Sequence, residues 1–596
     1  MTLPSTLRAG AFLALLAGAC LLLASCEATF DTQDRAFCRK QQEVLARNFN
    51  KQIEMLSAAE KQLDAPIEAG EIPAGFAPWW AKDVDGNLFR NSVPTRKGLD
   101  DLLVLALRNS SQIKVFSDVP LIRETGIQEA RGRFDTHVFA EAAYEYTNDP
   151  TGSVLTTGFA PGRFKQYETR AEAGVKKKLL TGADVAVSQR FARTGNNSVF
   201  FIPDKQATAR LGLWINQPLL KGAGIEYNRS LIRIAKIDSQ IARNEFIRQA
   251  ESHLLEITRS YWNLYFSRSL CTQKRKLLAD TTELVAQLAK RKGIDAMEDQ
   301  LKRAQAAQAK RHADLVRVDM AIRNAEDRIK ALINDPNFLP SGSAELVPAD
   351  APLYRRMEVD LKDTAATALE NRPEIRQAFL QLKAAAIRRE VSKNELLPQL
   401  DLILEMSIAG LDKAGSLTDG WDEQWEAHPS FLVGLEFDFP VENNVAKARD
   451  RRRRLEIRQQ LAQVQTTVDT VLLEAKIAAR ELRTAARELD SRYASLQAAT
   501  EDLRILQKRW ESHAGGDAKP VVGYLQLLLD AQDRLANAQE AFSQTSAIYN
   551  VAMVNLQRAQ GTLLTYEDIE IIEDEDEDDE GLPALRLIKK KAEATN

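Results

Sequence analysis

The 596-residue sequence predicts a mixed α and β protein that is mainly helical and contains an internal duplication. Three observations carry this prediction: long segments without a helix breaker, short segments that alternate apolar and polar residues, and motifs that recur in the same order. The unbroken segments predict long antiparallel coiled-coil helical hairpins, and the alternating segments predict strands.

Residues 1–25 have the features of a secretory signal peptide. A basic start at Arg8 precedes about 15 apolar residues, a length that suits a signal better than a membrane span. The segment ends in LASC, which resembles a bacterial lipobox whose cysteine, here Cys26, is acylated and becomes the mature N-terminus. An ordinary signal peptide cut near the same place is the alternative. Residues 26–98 are then expected to form a lipid-anchored periplasmic segment.

The cysteines and the charge limit the expected chemistry. Of the four cysteines, Cys20 leaves with the signal and Cys26 would carry lipid, so that only Cys38 and Cys271 remain to form a disulfide in an oxidising compartment. The sequence leaves that pairing open. A net charge of −4 gives no reason to expect a nucleic-acid partner. The five scattered histidines and the lack of a nucleotide motif predict no catalytic residues, no metal and no cofactor.

Motifs in the first half of the chain recur in the second half. LALRNSSQIKVF (105–116) has its counterpart in TALENRPEIRQAF (367–379). Gly293 follows Pro218 by 75 positions, and Gly515 follows Pro440 by the same 75. A duplicated unit explains this spacing, with a first repeat at 99–340 and a second at 341–564.

Strands are expected at about 137–217 and 398–440. Along the segment QLDLILEMSI, Leu400, Leu402 and Leu404 face one way, whereas Asp401 and Glu405 face the other. Strands of about ten residues suit a tilted membrane crossing, and no apolar run of 18 residues besides the signal suggests a helical one. A soluble sandwich or a sheet packed on helices would alternate equally well, so the pattern leaves both open.

Helical hairpins are expected at about 222–333 and 442–563. The last helix carries apolar residues at spacings of three and four without a slip, a coiled-coil seam. These residues are Leu528, Ala531, Leu535, Ala538, Phe542, Thr545, Tyr549, Ala552, Leu556, Ala559 and Leu563. The partner helix has the same spacing at Val464, Val468, Val471, Ala475, Ala478 and Leu482. At 1.5 Å per residue, a 70-residue helix is roughly 105 Å long.

Several motifs together resemble those of the TolC-type outer-membrane efflux proteins. They are INQPLLKGAG, ENRPEI, SYWNLYF, LLLDAQDRLANAQ and IYNVAMVNLQRAQGTLL, and the resemblance runs from about residue 99 to 564. It implies a homotrimer in the outer membrane whose strands close one transmembrane β-barrel and whose helices form a periplasmic tunnel. Such a duct conducts passively, and its partners are a periplasmic adaptor (membrane fusion) protein, an inner-membrane transporter and outer-membrane lipid.

The resemblance also implies the sites. Pro218, Gly222, Gly224 and Pro440 form the corners between strand and helix. Asp530 matches an aspartate of the periplasmic gate, although a lone aspartate on a helix is otherwise a solvated residue. Trp510 stands where the family often has a tyrosine of the closing network, and Arg509 is adjacent to it. The hairpin tips, where the adaptor docks, carry Arg291, Lys292, Gly293, Asp295, Asp299, Gly515 and Gly516. Leu527 stands where the family has a second aspartate, and the insertion HAGGDAKPVV separates Trp510 and Arg509 from Asp530.

Two features depart from the family or lie outside it. Family members usually contribute four strands per chain, but the first repeat has about 40 additional residues that read as a hairpin turning at Thr181-Gly182. A separate flap, which leaves twelve barrel strands, is favoured over eighteen. The tail 565–596 is expected to be acidic and disordered. The alternative function is a lipid-anchored periplasmic coiled-coil scaffold without channel activity.

Overall fold

The structure, a computed structural model, confirms the predicted fold class. It describes residues 72–73, 75–89, 93–158, 162–290, 298–338, 344–413, 415–426, 429–513, 521–574 and 584–589. These residues fall into two compact units. We call Arg123–Ser239 with Phe379–Gln463 the sheet unit, and the described parts of Leu45–Ile122, Gln240–Ala378 and Val464–Asn596 the helical unit.

Four long helices dominate the described residues. The helices are α1 Ala81–Val84, α2 Leu99–Asn109, α3 Ser111–Gly132, α4 Val154–Thr157, α5 Ile225–Asn228, α6 Ser230–Lys290, α7 Glu298–Ile333, α8 Leu361–Asn371, α9 Pro373–Asn394, α10 Leu417–Glu426, α11 Asn444–His513, α12 Val521–Gln560 and α13 Leu563–Tyr566. Within the described part of the chain, none of them combines the length and the apolar composition that a membrane crossing requires.

The strands form one large sheet and two small ones. They are β1 Val93–Lys97, β2 Thr136–Thr151, β3 Gly162–Lys178, β4 Asp184–Asn196, β5 Lys205–Pro218, β6 Ala344–Pro348, β7 Gln399–Asp412, β8 Ser430–Asp438, β9 Ile569–Asp574 and β10 Ala584–Lys589. The large sheet has the order β2-β3-β4-β5-β7-β8 with every neighbouring pair antiparallel, so β2 and β8 are its edges.

The additional hairpin of the first repeat is part of this sheet. Its strands β3 and β4 lie between β2 and β5, and β3 pairs with β2 from Thr136↔Lys177 to Thr151↔Gly162. The preference for a separate flap was therefore wrong. The turn at Thr181-Gly182 is short, and it joins two long strands, each of which pairs with a neighbouring strand on both sides. A separate flap would leave the outer edge of each strand unpaired.

The large sheet has one apolar face and one charged face. Because paired residues lie on the same face, the register assigns each residue to one of them. The apolar face comprises Val138, Ala140, Ala142, Val175, Val187, Leu211, Leu213, Ile215, Leu402, Leu404, Met406 and Ile408 at its centre. The charged face comprises Glu141, Glu145, Glu168, Arg170, Glu172, Arg190, Arg210, Glu405 and Glu436 among others. The predicted alternation in β7 is confirmed.

The helical unit is held by the predicted coiled-coil seams. All six seam positions expected in α11 are buried, as are nine of the eleven in α12 and α13, whereas Leu535 and Ala538 are partly buried against the same core. The α11 residues are Val464, Val468, Val471, Ala475, Ala478 and Leu482. Trp80, from the segment that precedes the first repeat, is also buried in this core.

Residues 565–574 and 584–589 correct the prediction of a disordered tail, and the rest of 565–596 lies outside the described residues. β9 and β10 pair antiparallel from Ala584↔Asp574 to Lys589↔Ile569, and they pack against the helical core through Ile569 and Leu587. Lys589 Nζ forms ion pairs with Glu567 at 3.0 Å and with Asp100 at 3.1 Å. The alternating apolar residues of the two strands supply enough buried surface to order them in spite of the surrounding acidic residues.

Candidate functional site

The first corner between strand and helix follows β5. Beyond Pro218 the ladder continues for a few residues, because the N–H of Leu219 donates to Leu400 O at 2.7 Å and that of Lys221 to Pro398 O at 3.2 Å. Gly222 and Gly224 then have φ of 84° and 98°, backbone conformations that favour glycine. The chain thereby turns from β5 into the short helix α5.

Two asparagine side chains fasten this corner. Asn394 Oδ1 accepts from the N–H of Gly222 at 2.7 Å, and Asn228 Nδ2 donates to the carbonyl oxygens of Gly222 at 3.0 Å and Gly224 at 2.9 Å. The turn between β3 and β4 presses on the same loop, because a Cβ on Gly182 would lie 2.6 Å from Gly222 O. Backbone groups left unpaired by the turn thus find side-chain partners. Neither asparagine was predicted from the sequence, because neither belongs to a periodic pattern or a motif.

The second corner uses an asparagine in place of glycine. After Pro440 the chain reaches Asn443, whose φ is 45°, and α11 begins at the next residue. Asparagine tolerates the left-handed region better than other non-glycine residues. Its Nδ2 donates to Leu396 O at 3.1 Å, which ties the corner to the segment before β7.

The basic run RDRRRR, residues 449–454 near the start of α11, carries arginines that form ion pairs. Arg449 pairs with Glu395, Arg453 with Glu456, and Arg454 with the buried Asp450. Because these guanidinium groups already have carboxylate partners, the run is a solvated helix face rather than a concentrated cationic site.

The distal ends of the four long helices meet in a small apolar cluster, which we call the distal cluster. It contains Leu284, Leu288, Leu301, Ala304, Leu503, Leu525, Leu528, Leu529 and Ala531. Trp510 packs against this cluster, Arg509 is exposed, and Asp530 is half-buried with its Oδ1 accepting from Gln526 Nε2 at 2.9 Å. The three predicted gate residues therefore lie near one end of the helical bundle.

Arg311 connects the two hairpins near this end. It lies on α7 with its side chain buried, and it donates to Thr281 Oγ1 of α6, to Gln532 Oε1 at 2.7 Å and to Asp533 Oδ1 at 2.7 Å, both of α12. A charged hydrogen bond of this kind is stronger than a neutral one. Arg311 was not predicted from the sequence. Its position in the seam of α7, seven residues after Ala304 and seven before Val318, was a signal that could have identified it.

The predicted tip residues are only partly described. Asp299 is exposed and lies 3.9 Å from Arg303 in the first turn of α7. Arg291, Lys292, Gly293, Asp295, Gly515 and Gly516 lie outside the described residues, as do Cys26 and Cys38. Cys271 is buried, and its Sγ donates to Asp319 Oδ1 at 3.3 Å. Burial raises the pKa of this thiol to about 12, which keeps it protonated.

The chain is similar to known outer-membrane channels. Residues 365–504 match the family model of the outer membrane efflux protein. No curated protein gives a significant match to the sequence. Among solved structures, the CmeC outer membrane channel of Campylobacter jejuni is similar with a TM-score of 0.56 and 16% identity, over 84% of this chain and 91% of that one.

Two further channels give the same result. The MtrE outer membrane channel of Neisseria gonorrhoeae has a TM-score of 0.56 and 15% identity, over 84% of this chain and 98% of that one. The outer membrane protein VceC of Vibrio cholerae has a TM-score of 0.56 and 15% identity, over 78% and 96%. Residues 365–504 therefore form an outer membrane efflux protein domain, and the chain has the fold of the TolC-type outer-membrane channels.

Proposed function

We propose that the protein is the outer-membrane exit duct of a tripartite efflux or secretion system. The observation that carries this proposal is a sheet with one apolar and one charged face whose strands continue, through tight corners, into helices of 61 and 70 residues. An apolar face suits lipid and a charged face suits a water-filled lumen. The scaffold alternative would not need the charged face.

Closure of the sheet requires several copies of the chain. β2 and β8 are open edges, and unpaired backbone groups are costly in lipid, so edge must meet edge. In a homotrimer, three six-stranded sheets give eighteen strands, and because barrel diameter grows nearly linearly with strand number the barrel is about 1.5 times as wide as a twelve-stranded one. We therefore expect a wider exit than a barrel of twelve strands would give.

The charged face would line that exit with both signs of charge. The paired residues Glu141, Glu172, Arg190 and Arg210 run across four strands at one level. Nearby, Arg190 lies 3.8 Å from Glu168 and Arg170 lies 3.9 Å from Glu145. Rings of charged side chains set ion preference in pores, so we expect the lumen to discriminate between permeating ions.

We assign the periplasmic gate to the bundle around the distal cluster. Three copies of Asp530 would form an acidic ring, with Trp510 and Arg509 nearby and the link from Arg311 to Asp533 holding the two hairpins of each chain together. The tips, including Asp299, would receive the periplasmic adaptor, and an inner-membrane transporter would supply the energy. Cys26 would anchor the chain in lipid, and a bond between Cys38 and Cys271 stays a prediction.

The proposal is tested first by the assembly state and the conductance. Protein extracted from outer membranes in mild detergent should have the native mass of three acylated chains, and it should form conducting pores in a planar bilayer. A monomer, or a dimer released from the membrane by a salt wash, would contradict the duct and favour the scaffold.

The gate is tested by Asp530→Ala in the same bilayers. Loss of three facing carboxylates should raise the conductance or weaken block by divalent cations. Asp314→Ala, which removes an exposed aspartate from α7, is the control and should change neither quantity. Unchanged divalent block in Asp530→Ala would refute the assignment of the ring.

A further inference from the structure

Helix α10 lies on the apolar face of the large sheet, at the end remote from the corners. It connects β7 to β8, and its backbone approaches the sheet so closely that a Cβ on Gly410 would lie 2.2 Å from Gly420 O and 2.3 Å from the Gln424 nitrogen. Beneath the helix β5 carries small side chains, because Ala207 and Ala209 are fully buried there. The sheet is therefore shaped to receive α10.

The contact also satisfies a polar group in the middle of the apolar face. Gln189 of β4 is paired with Leu211 and lies among the apolar residues of neighbouring strands. Its Nε2 donates to Gln424 Oε1 at 2.9 Å, and Gln424, which is fully buried, donates in return from Nε2 to Gln189 Oε1 at 3.3 Å. Without α10 this carboxamide would face lipid with no partner, which is costly.

Aromatic side chains form a band at the level of α10. On β2 and β3, Tyr144, Tyr146 and Tyr167 lie on the apolar face and are exposed, and the register places Tyr144 at the level of Ala207 through Thr169 and Arg193. At the same level β5 and β7 carry Ala207 and Asp412 in place of an aromatic residue. There α10 supplies Trp421, which stacks on Phe191 at 5.6 Å between ring centroids, and the neighbouring Trp425.

We propose that α10 is an interfacial helix whose Trp421 and Trp425 complete an aromatic girdle at the lipid–water boundary of the outer leaflet. The occupant of this surface is the headgroup region of the membrane. Tyrosine and tryptophan concentrate at that depth because their rings are apolar and their O–H or N–H groups are polar. Asp422, Glu423 and Glu426 project from the helix away from the sheet, which fits the polar side of the boundary and not the hydrocarbon.

This inference rests on the proposed duct, because only a membrane-spanning sheet has a lipid-facing side. The chain has seven tryptophans, and Trp421 and Trp425 are the two that lie on the apolar face: Trp214 is on the charged face and the other four belong to the helical unit. Quenching of tryptophan emission by bromine atoms on lipid acyl chains therefore reports mainly on α10.

The experiment compares wild type with the double variant Trp421→Phe/Trp425→Phe in liposomes. Their lipids carry bromine either near the headgroup or near the end of the acyl chain. We expect bromine near the headgroup to quench the tryptophan emission of the wild type more than bromine near the end of the acyl chain does. In the double variant the lipid-dependent quenching should be at least about threefold weaker. Trp79→Phe is the matched control, because Trp79 is similarly exposed but lies beside Lys276 in the helical unit; it should leave the quenching unchanged.

A second variant keeps the helix sequence and displaces the helix. Gly410→Leu inserts a side chain where Gly420 packs, so it should reduce lipid quenching and increase quenching by aqueous iodide. Equal lipid quenching in wild type and the double variant, or iodide reaching Trp421 and Trp425 more readily than lipid does, overturns the inference. Bilayer conductance is recorded in parallel: pores without the quenching difference reject the girdle alone, whereas a wild type without pores rejects the duct.

Discussion

Arg268 is a buried cation that holds residues 84–89, which precede the first repeat, against α6 and β6 of the helical unit. It lies on α6 with its side chain fully buried, and it donates to Glu345 Oε1 at 2.7 Å and to the carbonyl oxygens of Val84 at 3.1 Å and Gly86 at 2.6 Å. Glu345, also buried, accepts from the backbone N–H of Leu88 at 3.0 Å. One ion pair thus joins α6, β6 and residues 84–89.

Replacing Arg268 by methionine removes the cation and keeps an apolar side chain in its place. Glu345 is then left as a buried carboxylate without its counter-charge, and breaking a buried pair in this way costs about 3–5 kcal/mol. For a unit of several hundred residues, we expect the melting temperature to fall by on the order of 5 °C, because the entropy of unfolding grows with chain length. Circular dichroism of the helices in detergent measures the shift. Limited proteolysis should at the same time cut residues 75–89 faster.

The matched control is Arg328→Met on α7. Arg328 also pairs with a glutamate, Glu256, but the arginine side chain is 65% exposed, so its loss should cost no more than about 1 kcal/mol. Glu345→Gln added to Arg268→Met removes the stranded charge and should recover part of the stability. If Arg268→Met lowers the melting temperature no more than Arg328→Met does, the reasoning from burial is refuted.

Two further predictions concern a buried acid and a corner. Burial raises the pKa of Glu251 to about 7, above its value of 4.5 in the unfolded chain, so the folded state holds a proton that the unfolded state loses and stability falls as the pH rises through this window. Glu251→Gln should therefore raise the melting temperature at pH 8 but not at pH 4.5; an equal change at both pH values would contradict the assignment. Gly182 has a φ of 98°, and a Cβ on it would lie 2.6 Å from Gly222 O, so Gly182→Ala should lower the yield of trimer on mild gels several-fold. A Cβ on Gly212 would meet nothing within 4 Å, so Gly212→Ala should leave the trimer yield unchanged. Equal trimer yields from the two variants would contradict the role of Gly182 at the corner.

The helices and the seams could be predicted from the sequence because one pattern controls each of them. A heptad seam identifies the buried positions without reference to any other part of the chain, as Val468 and Leu556 illustrate. The same holds for β7, where the period of two assigns each residue to a face. What a single segment cannot reveal is its partner in space, and for that reason the additional hairpin was wrongly expected to form a flap.

The candidate site was predicted less completely, and the reason is physical. Asp530 and Trp510 were found through resemblance, whereas Arg311 was missed because its meaning depends on Gln532 and Asp533, more than two hundred positions away. The tail was misjudged for a related reason. Its acidic composition indicated disorder, but the buried contacts of Ile569 and Leu587 depend on a core built by other elements.

The two corners between strand and helix make the same turn with different residues. Both copies must end a strand and start a helix within a few residues, so each needs a residue at positive φ and a partner for the freed backbone groups. The first copy meets the need with Gly222 and Gly224, served by the side chain of Asn394; the second meets it with Asn443, which takes the left-handed conformation and bonds to Leu396 by its own side chain. The extra crowding at the first corner comes from Gly182 in the inserted hairpin. The lack of a side chain at Gly182 lets the turn of the two additional strands lie against this corner, and the structure of the corner is thereby linked to the width that we propose for the duct.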